Sequence, residues 1–157
     1  MGRLTTSLVV PRPHADVFAF FADAANLQRI TPPWVDFRIV TPLPIAMRAG
    51  TLIDYRLKIR GVPIGWRTEI SAWDPPHHFV DEQVQGPYRR WVHTHRFRAV
   101  EGGTAVEDEV DFRAPGGWLV ERLFVARDVG AIFRYRQQAI FAAFGLEPGP
   151  PADVRID

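Results

Sequence analysis

The chain contains no cysteine. Disulfides and thiolate metal sites are therefore excluded, while the redox compartment stays open, since a cysteine-free chain suits either. Net charge is nearly absent too: 19 Lys and Arg against 18 Asp and Glu leave +1. A balance of this kind exerts no general pull toward nucleic acid or an anionic membrane. No apolar run is long enough to span a bilayer, and Met1-Gly-Arg-Leu-Thr-Thr6 lacks a signal-peptide core. The expected setting is cytoplasmic, without stable membrane insertion and without nucleic acid. A nucleophile elbow, a phosphate loop and a dinucleotide fingerprint are missing, as are repeats and low-complexity segments. What the chain has is aromatic side chains: five Trp and 11 Phe, with 46% of residues hydrophobic. Its 157 residues suffice for one domain with a sizeable core.

The most informative stretch runs from Phe79 to Phe97 and reads as two strands joined by a turn at Gly86-Pro87. Strand side chains alternate between faces. On the second strand Trp91, His93, His95 and Phe97 share a face, and Arg90, Thr94, Arg96 and Arg98 stand among those on the other. The charged face is the wet one, so the imidazoles point inward. On the first strand Phe79 takes Asp81 and Gln83 inside with it. An acid, an amide and two imidazoles among aromatic rings are costly in a core that only needs to be dry. They suit a polar-lined cavity.

Around this pair the order of elements is α+β. A first strand covers residues 3–10, and Pro13 opens a short helix carrying Val17, Phe18 and Phe21. Asp23 caps a second short helix, Ala24 to Ile30. Strands follow at 35–41, at Thr51–Arg60 with Ile53, Tyr55, Leu57 and Ile59 on one face, and at Ile64–Trp73 with Trp66, Thr68, Ile70 and Ala72 on one face; Gly61-Val-Pro63 is the turn between these last two. Glu101-Gly-Gly-Thr104 signals a hairpin. With Gly102 and Gly103 as the turn, Phe97 faces Asp108, His95 faces Val110 and His93 faces Phe112. The inner face of the last strand is then Val106, Asp108, Val110 and Phe112, and its outer face is acidic beside a basic neighbour. The proline-free stretch Trp118–Phe144, with Leu119, Leu123, Ala126, Gly130, Phe133, Ile140 and Phe144 at helical steps, is a helix of about 40 Å, with Gly130 allowing a bend or a close approach to the sheet. One helix cannot cover six meandering strands, so a gap between helix and sheet is expected. The domain covers residues 1–146, and 147–157 form a C-terminal tail.

Several groups on this inner wall carry possible chemistry. His93-Thr-His95 places two imidazoles about 7 Å apart along one face, and Asp81 or Asp108 could complete a metal set. Hydrogen-bonded cavity histidines are the simpler reading, and no metal or cofactor is expected. Asp81 and His93 come opposite or diagonal across the turn. Such a pair can serve as general acid and base, or it can be a satisfied buried pair. Tyr55, Trp66, Trp91, Phe97 and Phe112 supply an aromatic lining suited to a flat apolar ligand. The expected ligand-binding set is Tyr55, Trp66, Thr68, Asp81, Gln83, Trp91, His93, His95, Phe97, Asp108 and Phe112. Arg134 and Arg136 on the long helix are expected in pairs at the cavity mouth or on the surface, and Arg56, Lys58 and Arg60 on a solvated outer face.

The element order, together with Pro32-Pro-Trp34, Gly61-Val-Pro-Ile-Gly-Trp66, Phe79-Val-Asp-Glu-Gln83, Gly86-Pro-Tyr88, Trp91-Val-His-Thr-His-Arg-Phe97, Gly103-Thr104 and Ile132-Phe-Arg-Tyr-Arg136, resembles the START-related SRPBCC superfamily of helix-grip, polyketide-cyclase-like domains. The resemblance extends to about Phe144. It implies an antiparallel sheet wrapped around a long C-terminal helix, with two short helices after the first strand. Its members include ligand carriers, polyketide cyclases and ubiquinone-binding proteins, and some are fused to a nucleotide-sugar-epimerase-like domain. The expectation is a domain that binds a quinone-, polyketide- or lipid-like molecule between sheet and helix, as carrier or sensor. The alternatives are a cyclase or dehydratase using His93 and Asp81, and an interaction module for a partner enzyme.

Overall fold

The computed structural model describes residues 1–150 and 153–157. Strand β1 (Gly2–Val10) leads into helices α1 (His14–Ala22) and α2 (Asn26–Arg29) and a 3-10 turn at Pro33–Val35. Strands β2 (Arg38–Ile39), β3 (Leu52–Ile59), β4 (Val62–Asp74), β5 (His78–Gln85), β6 (Arg90–Val100) and β7 (Gly103–Arg113) follow. Next come α3 (Gly117–Val120), a π-helical turn (Glu121–Val125), α4 (Ala126–Ala143) and strand β8 (Asp153–Ile156). The strands form one antiparallel sheet in the order β2-β3-β4-β5-β6-β7-β1-β8. The long helix lies across one face of this sheet, which gives the helix-grip architecture.

Local chemistry explains where the elements depart from the alternation pattern. The strand expected at 35–41 shrinks to Arg38–Ile39, because Pro32 and Pro33 start a 3-10 turn that ends with Asp36 in the left-handed region (φ 46°). The second short helix likewise keeps only Asn26–Arg29, although Asp23 Oδ1 does accept from the Ala25 amide. The β3–β4 turn lies at Arg60-Gly61, both with positive φ, rather than at Gly61–Pro63. A turn with two such residues matches the twist of the strands it joins. In β4 the register shifts between Ile70 and Ala72. Past this irregularity Trp73, not Ala72, faces Phe18 and Phe79.

The β6–β7 hairpin turns at Glu101-Gly102, so Val100 pairs with Gly103, His93 with Val110 and His95 with Asp108. This is two residues away from the expected register. A slip of two preserves every side chain's face, so Val106, Asp108, Val110 and Phe112 are still inward and buried.

The long helix contains a π turn, and that turn rephases its first two turns. Leu119 and Leu123, expected on the packed stripe, are exposed, while Glu121 is buried. Glu121 Oε1 accepts from the Ala114 amide at 2.8 Å, and Oε2 lies 3.2 Å from the N-terminal ammonium. Gly130 is where β8 comes close: an added Cβ would lie 3.2 Å from Ile156 Cδ1. Of the segment expected to be a tail, Asp153–Ile156 pairs with Leu4–Ser7 of β1, while 151 and 152 lie outside the described residues. The main cores are Leu8, Val10, Val17, Phe18, Phe79, Phe97 and Ile140 toward one end, and Leu4, Val110, Phe112, Val129 and Phe133 toward the other.

Candidate functional site

Between sheet and long helix lies a cavity of about 680 Å³. That is the size of a pocket for a drug-sized molecule. Inward residues of β3 and β4 (Ile53, Tyr55, Leu57, Trp66, Thr68, Ile70) form one wall, and Val125, Val129, Ile132 and Phe133 form the facing wall. Leu27 and Ile30 close it from the short helices. Trp66, Tyr88 and Trp91 pack together with ring centroids 4.9–5.6 Å apart, and the Trp66 indole donates to Thr68 Oγ1 at 3.1 Å. At the mouth, Arg60 on the β3–β4 turn makes two 2.9 Å hydrogen bonds to Asp128 of α4. Its guanidinium also lies 5.0 Å from the centre of the Phe124 ring.

The polar side chains gather on one part of the wall. Asp108 on β7 is 3% exposed and takes His93 Nε2 at 2.8 Å and Arg136 Nη2 at 3.5 Å on Oδ1, with Thr6 Oγ1 at 3.3 Å on Oδ2. His95 Nδ1 lies 3.2 Å from the same Oδ1 but finds no hydrogen-bond partner. On the cavity side His95 Nε2 donates to Asp81 Oδ2 at 2.6 Å, whereas His93 Nδ1 stands 3.8 Å from that oxygen. The imidazoles stack at 3.7 Å, and Phe79 stacks on His95 at 4.2 Å. Arg136 crosses from the helix side, its guanidinium 5.5 Å from Phe21 and 5.6 Å from Phe133.

Burial opposes charge throughout this cluster; charged neighbours outweigh it at Asp81, Asp108 and His95, and do not at His93. Burial would raise the Asp108 carboxyl, but Arg136, His93 and His95 hold it well below its usual range. Asp81 is likewise held low against burial by His93, His95 and Arg136. Burial lowers His93, and the charge on His95 lowers it further, beyond what Asp81 and Asp108 restore. For His95 burial again pulls down, but Asp108 and Asp81 outweigh it and raise the ring. Above pH 6.5 the cluster therefore sets two carboxylates against the Arg136 guanidinium, with His93 neutral and His95 the ring that holds a proton more readily. Since a carboxylate only accepts, neutral His93 keeps its proton on Nε2 and turns the Nδ1 lone pair toward Asp81. Burial, and then the charge of Asp81, pushes up Tyr55, and burial and then Asp128 push Tyr88 up to about 12.

Of the residues expected from sequence, Tyr55, Trp66, Thr68, Asp81, Trp91, His93 and His95 line the cavity. Phe97 and Phe112 are packed in the two cores. Asp108 lies behind the imidazoles. Gln83 clamps its own loop, donating from Nε2 to the Tyr88 carbonyl at 2.7 Å and accepting from the Tyr88 amide at 3.1 Å. The expected pairing of Asp81 with His93 also changes. The two are registered across β5–β6, but the hydrogen bond goes to His95, because the stacked rings offer Asp81 the nearer nitrogen. Sequence reading left out the buried role of Arg136. The signal was its place three residues after Phe133 and four before Ile140, on the packed stripe. Arg60, expected on a solvated face, reaches the cavity mouth because it is a turn residue. Among the described residues no helix is long and apolar enough to cross a membrane.

The sequence matches the family described as polyketide cyclase / dehydrase and lipid transport over residues 1–142. No curated protein matches it. Solved structures similar to it include protein Ms6760 from Mycobacterium smegmatis, at 21% identity and TM-score 0.67, with 91% of this chain and 90% of that one covered. A nucleoside-diphosphate sugar epimerase from Corynebacterium glutamicum aligns at 24% identity and TM-score 0.65, with 90% of this chain covered but only 29% of the epimerase. Ginseng major latex-like protein 151 from Panax ginseng aligns at 14% identity and TM-score 0.65, with 90% and 95% covered. These structural likenesses bear on the fold alone. The chain belongs to the polyketide cyclase / dehydrase and lipid transport family.

Proposed function

We propose that this family member binds a hydrophobic or amphipathic small molecule, quinone-, polyketide- or lipid-like, in the cavity between sheet and long helix, as a carrier or sensor. The observation that supports this is a mostly apolar cavity of about 680 Å³ with its polar groups confined to one region. A molecule with an apolar body and one polar end matches that distribution: the body against Ile53, Leu57, Trp66 and Val129, the polar end at His93, His95 and Asp81. The test is native mass spectrometry of freshly purified protein, followed by displacement of an environment-sensitive apolar dye with quinone- and polyketide-like compounds. A bound small molecule or displaceable dye is the expected result. A protein that binds no dye in its native state would overturn the reading.

A cyclase or dehydratase is the second reading, favoured by the neutral His93 with its Nδ1 lone pair toward the cavity, beside Asp81 at 3.8 Å. A general base needs this availability. Conversion of a polyketide-like compound, lost in His93→Gln with binding retained, would select it; recovery of unchanged ligand would select the carrier. An interaction module for a partner enzyme is a third, favoured by the epimerase chain that carries this fold within a longer protein. It requires a complex with an epimerase-type enzyme that survives gel filtration, and separate elution would remove it.

A further inference from the structure

We propose that Asp81, His93 and His95 form a binding site for one divalent first-row transition ion, open to the cavity. Sequence spacing alone does not favour an ion here. The case rests on how the two imidazoles are held. Among the described residues, these three are the one group of three or more His, Asp or Glu residues whose ligand atoms gather closely enough, within 4.8 Å of one another. Asp81 Oδ2 lies 3.8 Å from His93 Nδ1 and 2.6 Å from His95 Nε2. An ion about 2.1 Å from each donor needs donors roughly 3.0–3.4 Å apart, and the two distances bracket that range. A shift of the Asp81 carboxylate by some tenths of an ångström from His95 toward His93 brings both oxygen–nitrogen distances into it. Asp81 is free to make that shift: its side chain is 20% exposed, against 8% and 6% for the imidazoles.

The second observation is behind the rings. His93 Nε2 and His95 Nδ1 face the same oxygen of Asp108, at 2.8 Å and 3.2 Å. Asp108 is itself held by Thr6 and Arg136. A metal-bound histidine usually turns its second nitrogen to a carboxylate, which fixes ring orientation and strengthens the donor. Here one buried carboxylate holds His93 by a hydrogen bond and stands 3.2 Å from the back of His95, leaving His93 Nδ1 and His95 Nε2 toward the cavity. The two rings hold this aim because they lie on one face of β6 and stack on each other.

The donor set is two nitrogens and one oxygen, without sulfur. Such a set suits zinc, iron(II), cobalt or nickel, whereas calcium and magnesium prefer all-oxygen sites. Coordination by His95 Nε2 displaces the proton it shares with Asp81, and that proton leaves to solvent. Three protein ligands leave positions open, and these face the apolar space, where water or an oxygen of a bound molecule would complete the shell. The ion site does not depend on the organic-ligand reading and is tested without any organic ligand.

The full chain, stripped with chelator and dialysed, is titrated with Co²⁺ and with Zn²⁺. The expected result is one Co²⁺ per chain with visible d–d absorption of a four- or five-coordinate nitrogen–oxygen site, displaced by one equivalent of Zn²⁺. Asp81→Asn and His95→Ala should each weaken binding at least tenfold, while His77→Ala and His78→Ala, remote surface variants, should leave it within twofold. Circular dichroism checks that each variant is folded. If His95→Ala unfolds, the more exposed Asp81→Asn and the wild-type spectrum still decide. No binding by the folded wild type, a six-coordinate aqua-like spectrum, or binding lost in the His77 and His78 variants instead would overturn the proposal.

Discussion

Asp108 is shared by Thr6, His93 and Arg136 in a space closed to water, and Asp108→Asn would leave Arg136 charged, buried and without its carboxylate. Breaking a buried pair from one side costs about 3–5 kcal/mol. Denaturant unfolding should show a loss of that order, and a loss below about 1 kcal/mol would mean water reaches Arg136. The histidines set the pH dependence of the metal-free protein. His93 is lowered from 6.5, so acidification through the range below 6.5 loads the unfolded state with a proton the folded state resists, and stability falls. His95 is raised from 6.5, so its stabilisation is complete below 6.5 and is lost as pH rises through its folded value. Asp81 and Asp108 are lowered from 3.8, so their contribution holds above 3.8 and disappears as pH falls through their folded values. Stability in chelator should therefore peak near pH 6.5 and fall on both sides, and His95→Gln should remove the alkaline decline. A wild type that keeps gaining stability from pH 6.5 to 8 would contradict this. At this scale the inward imidazoles and both acids were legible from alternation on β5, β6 and β7. Which acid meets which ring was not, since Asp81 is registered opposite His93 yet lies 2.6 Å from His95 and 3.8 Å from His93.

Elements were legible wherever a strand alternates without interruption. The β3 pattern Ile53, Tyr55, Leu57, Ile59 carries straight into the cavity wall. The face assignment went astray where the backbone changes phase, at the irregularity beside Ser71 and at the π turn that takes Leu119 and Leu123 out of the packed stripe, whereas the turn at Glu101-Gly102 moved the register by two and left every face in place. Phase errors of this kind arise from backbone geometry that hydrophobic periodicity does not encode. The Arg60–Asp128 contact is a consequence at the same scale, because it ties the β3–β4 turn to the helix across the cavity mouth. Both side chains are partly exposed, so the pair adds little to stability. Arg60→Ala should shift the unfolding free energy by less than about 1 kcal/mol while accelerating release of a bound dye several-fold in stopped flow. Unchanged release rates would mean the ligand leaves by another route.

For the whole molecule the question is whether the space between sheet and helix is a true vacancy. Pattern reading reached the vacancy by comparing coverage: one helix against a long meander. It could not give the added strand, because Asp153–Ile156 pairs with β1 from the far side of a proline-rich segment. A cavity-filling variant tests the vacancy directly. Leu57 points inward from β3 and lines the cavity without being tightly enclosed. In a filled core, enlarging such a residue forces strain of about 1–3 kcal/mol. In an empty one, the larger ring gains contacts that the walls lack. Leu57→Trp should therefore match or exceed the wild type in ligand-free melting temperature. The same variant should lose the thermal shift that a saturating ligand gives the wild type. A ligand at 100 times its Kd adds about 2.7 kcal/mol, or roughly 5–10 °C for a chain of this size. If Leu57→Trp melts several degrees lower without ligand, the interior is packed and the cavity reading fails. If it melts normally and still shows the full shift, the ligand binds elsewhere, and the arrangement around His93, His95 and Asp81 must then be explained without it.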